Sequence, residues 1–218
     1  MAKVILASQS PARCRLLKNA GITPLRIVSD VDEEALLQKA EAEAERAGSS
    51  LPAASRVQIL ATAKTENVIR RVTREKAADP RACHPRVVIG CDSMFYFNGE
   101  ILGKPHTPAV ARERLRAMSG KSGQLYTGHC VADLKTGKRA EGVSQASVYF
   151  ADFTDREIDA YIATGEPLEV AGSFTLEGRG GPFIERTEGD CHGIIGLSLP
   201  LLRTLLAQIG ISLTDLWD

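Results

Sequence analysis

Residues 3–13 read Lys-Val-Ile-Leu-Ala-Ser-Gln-Ser-Pro-Ala-Arg and join an apolar run to the start of a helix. The apolar run at residues 3–7 contains β-forming residues, which predicts a short buried strand. Ser10 suits a helix N-cap and Pro11 suits the first helical position, while Gly21 is a typical helix stop. A strand, a tight turn and a helix follow one another within 21 residues.

The rest of the chain mixes predicted strands and helices in the same way. The segment 33–47 is helix-prone but lacks a strong apolar stripe and ends at Gly48-Ser49-Ser50, so we interpret the region as a mobile insertion. No internal repeat is present, and the order of elements predicts one mixed α/β domain over residues 1–218. Strands are predicted over 25–29, 87–92, 125–134 and 140–150, a hairpin over 94–102 about Asn98-Gly99, and further helices over 53–78, 108–118, 155–164 and 198–209.

Composition narrows the classes of function. The 218 residues include 44% hydrophobic and 25% charged residues, which is typical of a globular protein. Lys and Arg total 27 and Asp and Glu total 27, a balance that argues against a protein that coats nucleic acid or an anionic membrane. No apolar run approaches the roughly 20 residues of a membrane span, and the N-terminus does not resemble a signal peptide, so we expect a cytoplasmic protein.

The five cysteines do not indicate a disulfide framework. Their number is odd and no C-x-x-C pair occurs, which favours scattered reduced thiols. Cys83-His84 and Cys191-His192 place a thiol beside an imidazole, but the paired spacing of a metal site is missing.

The turn Ser8-x-Ser10-Pro11-x-Arg13 is a candidate anion site. A capped helix start presents free backbone N–H groups, and the helix dipole favours negative charge there. Arg13 in the first turn is unfavourable for that dipole unless a bound phosphate compensates its charge. The alternative is an ordinary surface arginine on a well-capped helix.

Two further segments carry candidate charges. Asp92 ends the predicted strand 87–92, where α/β proteins place ligands, and its carboxylate could bind Mg²⁺ or activate water; the alternative is a capped turn. Lys104, held in Gly103-Lys104-Pro105, could reach a phosphate, although a turn lysine is the commoner outcome. Neither a Walker A loop nor a Gly-x-Ser-x-Gly elbow is present.

Other polar residues carry no motif of their own. Glu33 and Lys64 are by default surface charges on helices. His106 and His129 lack any motif around them and are expected to be structural or solvated.

Taken together, the motifs of this chain resemble the Maf family of nucleoside triphosphate pyrophosphatases, and in detail its actinobacterial branch. Each motif is weak alone, but nine in the same order over nearly the whole chain are specific. They are Leu6-Ala7-Ser8-Gln9-Ser10-Pro11-x-Arg13, Val31-Asp32-Glu33, Leu60-Ala61-x-x-Lys64, Gly90-Cys91-Asp92, Gly103-Lys104-Pro105, Met118-Ser119-Gly120, Thr127-Gly128, Glu166-Pro167 through Ala171-Gly172, and Gly196-Leu197 through Pro200.

The resemblance implies a mixed sheet with two lobes around a deep nucleotide-binding cleft, often as a homodimer. It implies hydrolysis of a nucleoside triphosphate between the α- and β-phosphates with Mg²⁺ or Mn²⁺. The implied cellular role is the removal of non-standard nucleotides or the restraint of cell division. By the same resemblance, Asp92 is the general base and Glu33 helps Asp92 to hold the metal. Substrate phosphates are then bound by Ser8, Ser10, Arg13, Lys64 and Lys104.

Three positions sort specificity in the family, and here they are Ala12, Ser93 and Glu177. A subgroup that prefers dTTP and UTP has Arg, Thr and Gln there, and one that prefers 7-methyl-GTP has Trp, Gln and Glu. Glu177 matches the second subgroup, and a carboxylate can accept hydrogen bonds from a guanine edge. Ala12 and Ser93 match neither subgroup, which leaves the base open.

Two other functions fit the same residues less well. A nucleotide-binding module without turnover would not need Asp92 beside the phosphates. An interaction protein of septum formation would bind its partners regardless of that carboxylate.

Overall fold

A computed structural model describes residues 3–78 and 85–218. The structure is mixed α/β, as predicted. The strands are β1 (Val4–Leu6), β2 (Leu25–Arg26), β3 (Val87–Phe97), β4 (Glu100–Leu102), β5 (Ser122–Asp133), β6 (Arg139–Phe150) and β7 (Ile184–Gly189). The helices are α1 (Pro11–Asn19), α2 (Glu33–Arg46), α3 (Ala53–Ala78), α4 (Pro108–Met118), α5 (Asp155–Ala163), α6 (Cys191–Ile195) and α7 (Leu199–Gln208).

The strands form one mixed sheet in the order β2-β1-β3-β5-β6-β7, with β4 paired to β3. β1 runs parallel to both β2 and β3, whereas β3 and β4 form an antiparallel hairpin. Asn98 and Gly99 turn that hairpin with φ of 49° and 90°, as its Asn-Gly sequence predicts.

Two compact units divide the described chain, and β3, β5 and β6 supply residues to both. The first unit comprises Met1–Asp92, Thr127–Ser144 and Gly196–Asp218, and the second comprises Ser93–Tyr126 and Gln145–Ile195. The sequence also predicts a loop over residues 79–86, and most of it, residues 79–84 with Cys83 and His84, lies outside the described residues.

In the first unit, α3 lies directly against the sheet because two glycines make room for it. A Cβ on Gly90 would overlap Thr65 Oγ1 and lie 2.6 Å from the carbonyl oxygen of Ala61. A Cβ on Gly128 would overlap the carbonyl of Val57. Valines 68, 72 and 88 join Ile5 and Ala7 in the apolar cluster beneath this helix. Glycine at both positions therefore sets how closely α3 approaches β3 and β5.

The second unit is built around aromatic packing. Phe95 and Phe150 each meet Phe174 edge to face with ring centroids 5.1 Å apart. A Cβ on Gly172 would lie 2.9 Å from both Phe95 and Phe174, so this close packing requires glycine.

Helix α2 differs from the other long helices because it has no buried residue. Asp32 caps it by accepting a hydrogen bond from the backbone N–H of Ala35, and Glu33 and Glu34 occupy the first turn. The helix predicted over 33–47 is therefore confirmed, while its mobility stays a prediction. Within residues 3–78 and 85–218, no helix is long and apolar enough to cross a membrane.

Candidate active site

The N-terminal turn forms as its sequence predicts. The hydroxyl of Ser10 accepts the backbone N–H of Arg13 and caps α1. Ser8 is 6% exposed, and its hydroxyl accepts the backbone N–H of Ser10 at 3.2 Å and Nη1 of Arg13 at 3.0 Å. The guanidinium of Arg13 is therefore held over the start of its own helix, where an anion would meet it.

A triad of charges lies in the same unit. Lys64 Nζ lies 2.6 Å from Asp92 Oδ1 and 2.8 Å from Glu33 Oε1. Lys64 and Asp92 are each 8% exposed, whereas the side chain of Glu33 is half exposed. Three residues predicted from separate motifs are thus adjacent, and the default interpretation of Lys64 as a surface charge is wrong. Its place on α3, where Gly90 lets that helix contact β3, brings the ammonium to Asp92.

The sequence predicted that the strand ends at Asp92, and that prediction is wrong. Strand β3 continues to Phe97, because Phe95 and Phe97 alternate inward and extend the buried face beyond the polar pair Asp92-Ser93. The carboxylate thus projects from within a continuous strand.

Burial dominates the electrostatics of Asp92. Removal from water raises the pKa of this carboxyl above its ordinary value, and the nearby charge of Glu33 raises it further. The ammonium of Lys64 and the guanidinium of Arg13 oppose the shift without cancelling it. Arg13 therefore influences the same carboxylate as Lys64. The result is a buried carboxylate more basic than a free aspartate.

The neighbouring thiol is unsuited to chemistry. Cys91 is fully buried, and burial raises its pKa to about 12, so the nucleophilic thiolate is scarcely formed at neutral pH. Among the described cysteines, Cys14, Cys91, Cys130 and Cys191 are all free, which confirms the prediction of reduced thiols for those four.

The remaining predicted site residues lie outside the Glu33–Lys64–Asp92 triad. Ala12 is half-buried in the first turn of α1, and Ser93 follows Asp92 on β3 as the first residue of the second unit. Lys104 belongs to the second unit, where its ammonium lies 3.9 Å from Glu169. Glu177 is exposed on a glycine-rich segment of that unit.

Glu166 organises this glycine-rich segment, a role that sequence reasoning missed. Its carboxylate accepts hydrogen bonds from Tyr161 Oη at 3.1 Å, from Thr175 Oγ1, and from the backbone N–H groups of Arg179 and Gly180 at 3.0 Å. Burial by itself would raise the pKa of Glu166. The hydrogen-bond donors outweigh burial, so the pKa of this carboxyl lies below its ordinary value. The signal that was available is an acidic residue shortly before a cluster of glycines.

His129 and the residues around Cys191 are further polar groups that the sequence singled out. His129 was expected to be structural or solvated, and it is fully buried with a hydrogen-bond partner at each ring nitrogen. In the described chain, Asp190, Cys191 and His192 place one ligand atom each within 4.8 Å of one another. The Asp190 carboxylate already accepts the backbone N–H groups of His192 and Gly193, as a helix cap does.

The Glu33–Asp92 pair has the chemistry expected of a magnesium or manganese site. Both carboxylates converge on one ammonium, and one of them is half open to solvent, so their oxygens could share a hard cation with water and substrate oxygens. The carboxylate donor set therefore fits such an ion.

The chain is similar to known proteins over almost its whole length. The family model described as Maf-like protein matches residues 3–209. Proteins named nucleoside triphosphate pyrophosphatase are 48% identical in Nocardia farcinica, over 98% of this chain and 96% of the relative, and 46% identical in Streptomyces coelicolor, over 99% and 94%. In Bifidobacterium longum, a nucleoside triphosphate pyrophosphatase/Nudix hydrolase fusion protein is 40% identical over 99% of this chain, which spans 60% of the fusion.

Proposed function

The chain belongs to the Maf family, and from that premise we propose that it hydrolyses nucleoside triphosphates between the α- and β-phosphates. The products are a nucleoside monophosphate and pyrophosphate. The observation that carries the proposal is the buried Asp92 carboxylate beside Lys64, with Glu33 and Arg13 in the same unit. Relatives that match almost all of this chain are named for the same reaction.

Asp92 is the proposed general base. Its carboxylate takes a proton from a water molecule as the water oxygen bonds to the α-phosphorus. The bond from that phosphorus to the α–β bridging oxygen breaks, and pyrophosphate leaves with the bond's electron pair. The raised pKa supports this role because a more basic carboxylate accepts a proton more readily in the transition state.

Cationic side chains and the helix start stabilise the charge of the triphosphate. Phosphoryl transfer depends on positioning and charge neutralisation more than on covalent chemistry. Arg13 offers a planar fork that matches phosphate oxygens, and the Ser8–Ser10 turn adds the N-terminus of α1. Lys64 holds Asp92 in place and adds positive charge. Lys104 keeps the role that the resemblance implies, a phosphate ligand.

Glu33 and Asp92 are the residues that would hold Mg²⁺ or Mn²⁺. A bound divalent cation supplies charge neutralisation and makes bound water more acidic. Ala12, Ser93 and Glu177 are the proposed specificity positions.

Pyrophosphate release tests the proposal directly. The purified chain is incubated with dTTP, UTP, CTP, GTP or 7-methyl-GTP and with Mg²⁺ or Mn²⁺, and monophosphate and pyrophosphate are both quantified. We expect equimolar products and a loss of about 10³-fold in kcat for Asp92→Asn. Bound nucleotide with no turnover would instead identify a binding module, and turnover retained in the variant would refute the base assignment.

The cellular role is proposed on the same basis as the removal of non-standard nucleotides, with restraint of cell division as the second candidate. Overproduction of the wild type and of Asp92→Asn separates them. Cell filamentation caused by either protein would favour restraint of cell division, whereas normal division with a lower level of a non-standard nucleotide, seen only with the active protein, would favour nucleotide removal.

A further inference from the structure

His129 is connected to the candidate active site by backbone groups. Its Nε2 lies 2.9 Å from the backbone nitrogen of Ser198, and its Nδ1 lies 3.0 Å from the carbonyl oxygen of Thr127. A backbone N–H can only donate, so Nε2 must accept, and the carbonyl of Thr127 then requires a proton on Nδ1. The two backbone partners thus select one neutral tautomer of a fully buried ring.

The segment that His129 holds is the turn at residues 196–198. The hydroxyl of Ser198 caps α7 by accepting the backbone N–H of Leu201 at 3.1 Å. At the other end of the turn, the carbonyl oxygen of Gly196 accepts a hydrogen bond from Nε of Arg13 at 2.6 Å. The turn therefore links the imidazole of His129 to the guanidinium of Arg13.

Gly196 is shaped around that guanidinium. Its φ is +118°, a conformation that favours glycine, and a Cβ there would lie 3.0 Å from Nε of Arg13. Because Nε is bonded to Gly196 and Nη1 to Ser8, the guanidinium plane is fixed along two directions. A planar fork binds phosphate oxygens best when its plane is already set.

We propose that His129 is a positioning residue for Arg13: it fixes the 196–198 turn, and the turn orients the guanidinium toward a phosphate group of the substrate. The inference rests on the proposed function only for the identity of that anion. His129 is not proposed to touch a reacting atom, and its effect on the substrate passes through Arg13.

Two substitutions at residue 129 separate positioning from packing. The amide of His129→Gln reaches the Nε2 position and offers an oxygen to the Ser198 N–H. The amide of His129→Asn reaches only the Nδ1 position and leaves that N–H without its acceptor. Both variants replace the imidazole ring by a smaller polar amide, so loss of packing affects them in the same direction, and thermal unfolding measures that loss in each.

The decisive measurement is a double-mutant cycle with Arg13→Met, which lacks the guanidinium. The readouts are kcat/KM for pyrophosphate release and, independently of turnover, the Kd of inorganic tripolyphosphate by calorimetry. We expect His129→Asn to weaken both about tenfold and His129→Gln to weaken them less than about threefold. In the Arg13→Met background, His129→Asn should have almost no further effect, because contacting residues in one network are not additive.

The outcomes are distinguishable. Losses that multiply in the double variant, or a Gln variant no better than Asn, would overturn the positioning role and leave His129 a residue of the core. A wild-type chain that binds tripolyphosphate but releases no pyrophosphate from any nucleoside triphosphate would refute the proposed function. The double-mutant cycle measured by Kd would still test His129.

Discussion

Replacement of Asp92 by asparagine should stop catalysis without destabilising the protein at neutral pH. The carboxyl is 8% exposed, and burial raises its pKa above that of an unfolded aspartate. A raised pKa in the folded state means that the acid form is favoured by folding. The stabilising contribution of this carboxyl is fully present below its pKa in the unfolded chain. It is lost as pH rises through its pKa in the folded protein. Wild type therefore carries a penalty above that pH, and asparagine removes it.

The size of the effect follows from the shift. Each pKa unit corresponds to about 1.4 kcal/mol of unfolding free energy, or roughly 3–6 °C in Tm for a chain of this length. Asparagine keeps an oxygen that can accept from Lys64, whose ammonium also retains Glu33 at 2.8 Å. We expect the Tm of Asp92→Asn minus that of wild type to become more positive between pH 4 and pH 8.

Thermal unfolding at closely spaced pH values checks this, with Asp133→Asn as a control of opposite sign. Asp133 is 1% exposed, and its pKa lies below its ordinary value, chiefly because Arg86 donates to it. It stabilises the fold above its unfolded pKa and loses that contribution as pH falls. Its asparagine variant should thus be destabilised at pH 7 by about 2–3 kcal/mol. A pH-independent loss of more than about 2 kcal/mol in Asp92→Asn would contradict this expectation, since the Lys64–Asp92 pair would then be a net stabilising contact.

Three other changes test the site and its supports. Gly90→Ala should cost about 2–3 kcal/mol of unfolding free energy in urea, because its Cβ overlaps Thr65, while Gly103→Ala, with open space around it, should change stability by less than about 0.5 kcal/mol. Glu33→Gln should leave Tm within about 2 °C yet raise the half-saturating concentration of Mg²⁺ about tenfold, and an unchanged metal requirement would remove Glu33 from the metal site. Glu166→Gln should place an amide N–H against that of Arg179 and alter the ratio of kcat/KM between two bases without an equal fall in kcat; a uniform fall for every base would contradict this.

Local signals predicted much of the fold. The helix over 53–78 is confirmed at both ends, and the Ser10-Pro11 start of α1, the Asn98-Gly99 turn and the capping box of α5 are confirmed as well. These elements depend on caps, turn residues and apolar spacing that lie within a few residues of one another. Strand β7 was missed because residues 184–189, which include the exposed charges Glu185, Arg186 and Glu188, lack apolar alternation. The strand forms through pairing with β6.

The candidate site was only partly predictable for the same reason. Motif resemblance selected Glu33, Lys64 and Asp92, but their adjacency depends on α3 resting against β3 at Gly90, a long-range contact. His129 could not be recognised, since its importance arises from bonds to residues on either side of the ring, one of them 69 positions away. Propensity carries no information about such pairs.

Among the described residues of the first unit, Asp92 and Asp133 are buried aspartates whose pKa values move in opposite directions. The contrast indicates which of the two is suited to chemistry. Asp133 receives two guanidinium donors from Arg86, the backbone N–H of Lys135 and the hydroxyl of Thr136, so its charge is fully compensated and it serves the fold. Asp92 shares a single ammonium with Glu33, and its charge is compensated less completely than burial demands. An under-compensated carboxylate gains free energy by accepting a proton or by binding a cation. Those are the two events that the proposed hydrolysis assigns to this position, so the same feature that costs stability makes Asp92 the best candidate for the base.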